Sequence, residues 1–381
     1  MKIVIAVTSP LSYTLIKGQI RYFTDKGAKV TFISSYDGTI KSNVEAEGGN
    51  YRHLELAREI SFVKDIKSVF RAISLLKQEK PDIINASTPK AGLIFMLASL
   101  FMPRSYPIFT LRGIRSDTLT GLKKEIIKFT EYITCKLARK VIIISPSLRD
   151  HAIAVKIADA QKTVVLGKGS SNGVNTERFR DTEGIRLKAA AIRRKFAIPP
   201  EGVIFGCLGR IVKDKGIIEV YKAFRLLRKK YDGIYLVLTG SVEDADPLPK
   251  EIFDEMEANS HVFFINHTND TPSILSVYDI LILFSYREGF GNVVLEASSI
   301  ARPVIVSDVP GAKDTVVDGV TGFLAIPKDY KDLAKKMEIY IKKPSLRVQH
   351  GNSGRERAIN YFSSEIIFDG LYQLYRDVEN G

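Results

Sequence analysis

Short apolar runs alternate with longer amphipathic stretches along nearly the whole chain. KIVIAV (2–7), KVTFIS (29–34), PDIINAS (81–87), YPIFTLRG (106–113) and KVIIISPS (140–147) read as strands. Between them, SYTLIKGQIRYFTDKG (12–27) and the stretches near 63–79 and 121–139 carry the apolar spacing of helices, and Gly27 suits a helix C-terminus. AGLIFMLASLFM (91–102) is apolar all round and stops at Pro103, so it predicts a buried helix too short to span a bilayer. After GKGSSNGVNTERF (167–179) the pattern resumes with VIFGCLGRIVKDKG (203–216), YLVLTGS (235–241), VFFINH (262–267), DILILFS (279–285) and RPVIVSD (302–308). Buried strands alternating with helices predict parallel sheets covered on both faces. The polar pause predicts two α/β domains, 1–168 and 169–362. The last helical stretch, within 363–381, either caps the second domain or packs back on the first.

At 381 residues, two domains are the expected organisation. Hydrophobic content of 45% and charged content of 26% are those of a folded chain. The two cysteines, Cys135 and Cys207, fit no metal-ligand spacing and read as reduced thiols of a cytoplasmic protein. Met1 leads directly into a strand, so no signal peptide is expected. The net charge of +13 is unevenly placed: residues 1–190 carry 31 Lys and Arg against 17 Asp and Glu, and the rest carry 25 against 26. A basic first half suits an anionic membrane surface or a phosphorylated substrate. No nucleic-acid-binding module is recognisable.

Two constellations carry chemistry. In YREGFGNVVLEA (286–297), a strand is followed by a turn with Gly289 and Gly291 and then by a helix from about Asn292. Ligands of doubly wound sheets bind beyond the carboxyl ends of strands, where this turn lies. Glu296 is about one turn into the helix, and its side chain leans back toward the helix start. It can therefore converge with Glu288, and two carboxylates together accept hydrogen bonds from sugar hydroxyls. In CLGRIVKDKG (207–216), Gly209 and Arg210 end a strand and Lys215 follows, a natural clamp for a diphosphate. The acidic VEDADPLP loop, with Asp244 and Asp246, is read as an ordinary loop and not as a metal site.

With these motifs the chain resembles retaining nucleotide-sugar glycosyltransferases of the GT-B fold, glycosyltransferase family four, over nearly its whole length. E-x7-E appears as Glu288 and Glu296, G-R-x4-K as Gly209, Arg210 and Lys215, and VPGAKDTVVDGVTGFL (309–324) resembles a further family segment. The resemblance implies two Rossmann-like domains facing a central cleft. It implies that Glu288 holds donor-sugar hydroxyls, that Glu296 holds the ribose, and that Arg210 and Lys215 neutralise the leaving diphosphate. Backbone groups of Phe290, Gly291, Asn292 and Val293 would contact sugar and phosphate, and the base would lie near His267, Thr268 and Asp270. The TSPLS loop with Ser12 would also reach the donor, although it lacks the double glycine of many relatives.

A narrower resemblance links TSPLSYTLIKGQ (8–19), NASTPKAGL (85–93), TLRGIR (110–115) and 167–179 to enzymes that extend undecaprenyl-diphosphate-linked sugars. These include N,N′-diacetylbacillosaminyl-diphospho-undecaprenol N-acetylgalactosaminyltransferase and capsule or O-antigen transferases. Lys90, Arg112 and Arg115 would then face the acceptor diphosphate, with Arg112 standing where many members have histidine. The expected substrates are a UDP-sugar, an N-acetylhexosamine by resemblance, and a lipid-linked saccharide. No cofactor or metal is expected. The protein would sit peripherally on the inner face of the plasma membrane. A soluble acceptor, or a nucleotide-sugar-binding scaffold without catalysis, are the alternatives.

Overall fold

The computed structural model describes residues 1–56, 61–243 and 246–380. The chain divides into two compact units, Met1–Asn172 with Glu365–Gly381, and Gly173–Ser364.

The first unit is built on strands β1 (Lys2–Ala6), β2 (Lys29–Ser34), β3 (Asn50–His53), β4 (Ile83–Ala86), β5 (Tyr106–Leu111), β6 (Lys140–Ile143) and β7 (Thr163–Val164). All pair in parallel, in the order β3-β2-β1-β4-β5-β6-β7. Its helices are α1 (Gln19–Asp25), α2 (Ile40–Ala46), α3 (Phe62–Glu79), α4 (Pro89–Ser99), α5 (Gly121–Leu137) and α6 (Pro146–Ala154). Apart from the exposed edge strand β3, the strands are largely buried, as apolar β-branched runs in a covered parallel sheet require.

The 12–27 stretch is not one helix. Pro10–Leu15 forms a 3-10 turn, and Gly18, at φ 85°, starts α1 afresh. Gly18 N–H is satisfied by the Glu47 carboxylate at 3.0 Å, a partner that a local reading cannot see. Gly27, at φ 80°, follows the last turn of α1. The helix α4 is buried over most of its length, but it ends at Ser99 and leaves Leu100 and Phe101 exposed.

The second unit repeats the plan. Strands β8 (Val203–Leu208), β9 (Ile234–Thr239), β10 (Val262–Ile265), β11 (Ile280–Leu283), β12 (Val304–Ser307) and β13 (Gly322–Ala325) pair in parallel in the order β10-β9-β8-β11-β12-β13. Its helices are α7 (Glu183–Lys195), α8 (Ile217–Arg228), α9 (Lys250–Glu257), α10 (Thr271–Val277), α11 (Asn292–Ser299), α12 (Tyr330–Lys342) and α13 (Pro344–Phe362). Phe205, Phe224, Leu236, Ile282, Ile305 and Tyr340 share its core.

The final helix, α14 (Ser364–Asn380), places Leu371 and Tyr375 in the core of the first unit beside Ile5, Phe23 and Phe32. In both sheets the strand order reverses beside the first strand, β1 with β4 and β8 with β11. Such a switch point opens a crevice at the carboxyl ends of the two strands.

Candidate active site

The crevice of the second unit lies between the carboxyl ends of β8 and β11. Gly209, at φ 151°, follows β8 in a conformation few other residues adopt, and Arg210 comes next. The Arg210 guanidinium donates to Glu243 at 3.0 Å and lies 3.9 Å from Asp214. Lys215 closes a 3-10 turn (Lys213–Lys215), and Gly216 then starts α8 at φ 66°. A Cβ on Gly216 would fall 2.1 Å from the Phe284 carbonyl oxygen, so only glycine lets the β8 loop come this close to the end of β11. That approach delivers Lys215 to Glu288: its ammonium hydrogen-bonds Glu288 Oε1. Ser285 Oγ donates to the same oxygen at 2.9 Å, and Ser307 Oγ donates to the Ser285 carbonyl at 2.6 Å.

The turn after Glu288 runs into α11. Gly291, at φ 91°, precedes the helix, and Phe290 turns inward against Phe362 at 5.6 Å between ring centres. Asn292 is the first helical residue, and its side-chain oxygen is buried without a hydrogen-bond partner among the described residues. Val293 follows it, partly exposed. Burial pushes the Glu296 carboxyl up to about 7, and the charge of Arg178 opposes the shift. Arg178 also donates to the Asn269 carbonyl at 2.8 Å, tying this region to the loop after β10. In that loop His267 is exposed, Thr268 Oγ1 accepts the Asp270 N–H at 3.1 Å, and Asp270 accepts Ser273 Oγ at 2.9 Å. Asp244 lies outside the described residues, whereas Asp246 accepts the Asp214 N–H at 2.7 Å.

In the first unit the hydroxyls of Thr8 and Thr88 meet at 2.7 Å, joining the loops after β1 and β4. Ser12 lies in the 3-10 turn after β1, its N–H on the Ser9 carbonyl. Lys90, in the first turn of α4, binds both carboxylate oxygens of Asp65 at 2.8 and 2.6 Å. Arg115 follows β5. Its backbone N–H and the Ser116 hydroxyl are held by the Glu131 carboxylate at 2.6 and 2.7 Å, and its exposed guanidinium has no partner among the described residues. Lys90 and Arg115 line one cavity. Arg112 lines a different crevice, with Asn85, Ser87 and Ser171. Its guanidinium is bonded to the Ser171 hydroxyl and carbonyl, its buried Nε has no hydrogen-bond partner among the described residues, and burial lowers its pKa to about 10.

Two family models cover most of the chain: "Glycosyl transferase 4-like domain" over residues 15–169 and "Glycosyl transferases group 1" over 188–357. The capsular polysaccharide biosynthesis glycosyltransferase CapM of Staphylococcus aureus is 36% identical over 98% of this chain and 96% of its own length. The chain belongs to the glycosyltransferase group 1 family.

A second relative is N,N′-diacetylbacillosaminyl-diphospho-undecaprenol α-1,3-N-acetylgalactosaminyltransferase of Campylobacter jejuni, 23% identical over 81% of each chain. Among solved structures, Anabaena Alr3699/HepE in complex with UDP superposes with a TM-score of 0.82 at 18% identity, over 99% of this chain and 100% of that one. The fold of this glycosyltransferase is therefore GT-B.

Sequence motifs point to Arg210, Lys215, Glu288 and Glu296, but not to the groups that support them. Ser285 and Ser307 orient Glu288, while Glu243 and Asp214 hold Arg210. Gly311 is a further support, since a Cβ there would fall 2.4 Å from the Glu288 carbonyl oxygen. The VPGAKD motif contains this glycine, so the signal was present without its target.

Proposed function

We propose that this glycosyltransferase moves an N-acetylhexosamine from a UDP-sugar to an undecaprenyl-diphosphate-linked saccharide during assembly of a capsule, O-antigen or protein glycan, with retention at the anomeric carbon. The observation that carries the donor reading is the junction of Lys215 with Glu288 at the β8–β11 switch point. It sets a cation for phosphate beside a carboxylate for sugar hydroxyls. Arg210 stands at the same strand end, and the α11 start offers the backbone amides of Phe290 to Val293.

In the reaction the anomeric C–O bond to the diphosphate breaks and a bond to an acceptor hydroxyl oxygen forms. The hydroxyl proton passes to the departing phosphate oxygen on the same face. Arg210 and Lys215 neutralise the diphosphate as charge develops, Glu288 holds the sugar, and Glu296 holds the ribose. His267, Thr268 and Asp270 would border the base, and Gly209 and Ser12 the phosphates and sugar. Because two side-chain cations meet the diphosphate, turnover should persist in a metal chelator.

The UDP complex of HepE supports a uridine donor, and the N-acetylgalactosaminyltransferase activity of the Campylobacter relative supports the N-acetylated sugar and the lipid-linked acceptor. The basic first half suits an anionic lipid on the inner face of a membrane. Among the described residues no helix is long and apolar enough to cross one. The test is UDP release across a panel of UDP-sugars, with and without a polyprenyl-diphospho-sugar. Release that requires the lipid, with the matching added sugar mass, is the expected result. Release only with a soluble acceptor would overturn the acceptor assignment, and binding of UDP without release from any donor would overturn catalysis.

A further inference from the structure

The first unit contains a cavity of about 250 Å³ between α3, α4 and α5, floored by Phe109 and Leu111 of β5. Its walls are apolar: Ile66 and Val69 from α3, Leu93 and Leu97 from α4, Ile126 and Ile127 from α5. The charged lining residues are Asp65, Lys90, Arg115 and Glu131. Lys90 and Arg115 follow the carboxyl ends of β4 and β5, so charge sits at that edge of the sheet while Leu93 and Leu97 continue down α4 away from it. Asp65 is neutralised by Lys90, and Glu131 is occupied by Arg115 N–H and Ser116. The Arg115 guanidinium is thus the lining cation that has no ion-pair partner among the described residues.

The same helices also present exposed apolar ridges among lysines, in which the cavity residues Ile66 and Ile126 take part. Val63, Ile66 and Phe70 are exposed on α3 beside Lys64 and Lys67. Leu122, Ile126 and Phe129 are exposed on α5 beside Lys123, Lys124 and Lys128. Spacings of three and four residues put each set on one face of its helix. An apolar slot with an unengaged guanidinium at its charged end and apolar rims complements one kind of molecule, an amphiphile with a hydrocarbon chain and a diphosphate head. An apolar cavity of roughly 150 Å³ takes a benzene molecule, so about 250 Å³ has room for about ten carbons, two isoprene units.

We infer that this cavity holds the first isoprene units of the lipid acceptor, with Arg115, and Lys90 when released from Asp65, on its diphosphate. The inference rests on the acceptor reading above and adds where the chain lies. The remaining isoprenoid runs out between the α3 and α5 ridges.

The chain has no tryptophan, so Ile126→Trp at the cavity wall supplies a single reporter. Geranylgeranyl diphosphate should shift its emission to the blue, saturably. Inorganic diphosphate should bind at least about tenfold more weakly, and Arg115→Ala in the reporter chain should weaken the prenyl ligand by about tenfold. Leu97→Trp, made separately to fill the slot, should lower kcat/KM for a long-chain acceptor more than for a one-isoprene acceptor. If that variant fails to fold, the reporter titration still decides. No emission shift, equal binding of inorganic diphosphate, or an equal shift with phosphatidylglycerol vesicles lacking any prenyl diphosphate would each overturn the inference. The last would make the surface a membrane-docking face. If the titration fails while lipid-dependent UDP release persists, the slot assignment falls and the acceptor stands. If prenyl diphosphate binds but no lipid-linked sugar is extended, the slot stands and the acceptor reading falls.

Discussion

The Lys215 ammonium hydrogen-bonds the Glu288 carboxylate across 73 positions of chain, joining the loop after β8 to the loop after β11. Both side chains are largely shielded, so each holds the other in place where a diphosphate and a sugar would meet. Lys215→Ala should lower turnover by about 100-fold or more, the scale of a removed electrostatic donor. Glu288→Gln keeps the shape and removes the charge, and should cost a similar factor. If the two act as a unit, the double variant will lose little beyond the worse single one. Initial rates of UDP release at saturating donor check this. A single variant within about twofold of the parent would remove that residue from the machinery.

Glu296 provides a pH test. Burial raises its carboxyl from 4.5 to about 7, so the folded chain keeps a proton that the unfolded chain has already released. Folding stability should therefore fall as pH rises from about 4.5 to about 7 and flatten above that. Donor affinity should move the opposite way, because the ionised carboxylate accepts ribose hydroxyls more strongly. Glu296→Gln should abolish both trends. Denaturant titrations and donor KM on either side of the window test them, and a variant with the parent's pH dependence would place the titration elsewhere.

The turn that links Glu288 to Glu296 was legible because it is local. Glu288, Gly291, Asn292 and Glu296 sit on one strand-turn-helix, and α11 starts at Asn292 as the spacing predicts. Ten of the strands were legible for the same reason, as short apolar runs, whereas β3, β7 and β13 were not read as strands. What could not be read depends on distant partners. Gly18 breaks the predicted 12–27 helix beside Glu47, and the two-residue β7 and exposed β3 have little apolar signal. Arg112 looks like Arg115 in sequence, but one guanidinium is buried on Ser171 and the other is exposed. The cavity under Lys90 needs three helices separated in sequence, and no single window contains it.

Gly311 is where the VPGAKD segment supports the turn that carries Glu288. It adopts φ 85°, and a Cβ would fall 2.4 Å from the Glu288 carbonyl oxygen and 2.5 Å from that of Gly289. Gly311→Ala adds backbone strain of about 1–3 kcal/mol and must displace that backbone. The expected outcome is a lower unfolding midpoint together with a raised donor KM, since Glu288 moves with its carbonyl. A midpoint and KM equal to the parent's would mean that the turn has room to relax.

Tyr375 fastens the last helix to the first sheet. Its buried hydroxyl accepts from Asn85 Nδ2 at 2.6 Å, and Asn85 Oδ1 accepts the Thr110 hydroxyl at 2.9 Å. The three form a chain of hydrogen bonds from α14 through β4 to β5, and the Tyr375 ring packs 5.6 Å from Phe23. Tyr375→Phe keeps the ring and leaves a buried Asn85 N–H unpaired. That should cost about 1–3 kcal/mol, more than an exposed hydrogen bond is worth, because the donor has no water to turn to. Equilibrium denaturation would measure it. A loss under about 0.5 kcal/mol would mean that Asn85 finds another acceptor and that ring packing alone holds the helix.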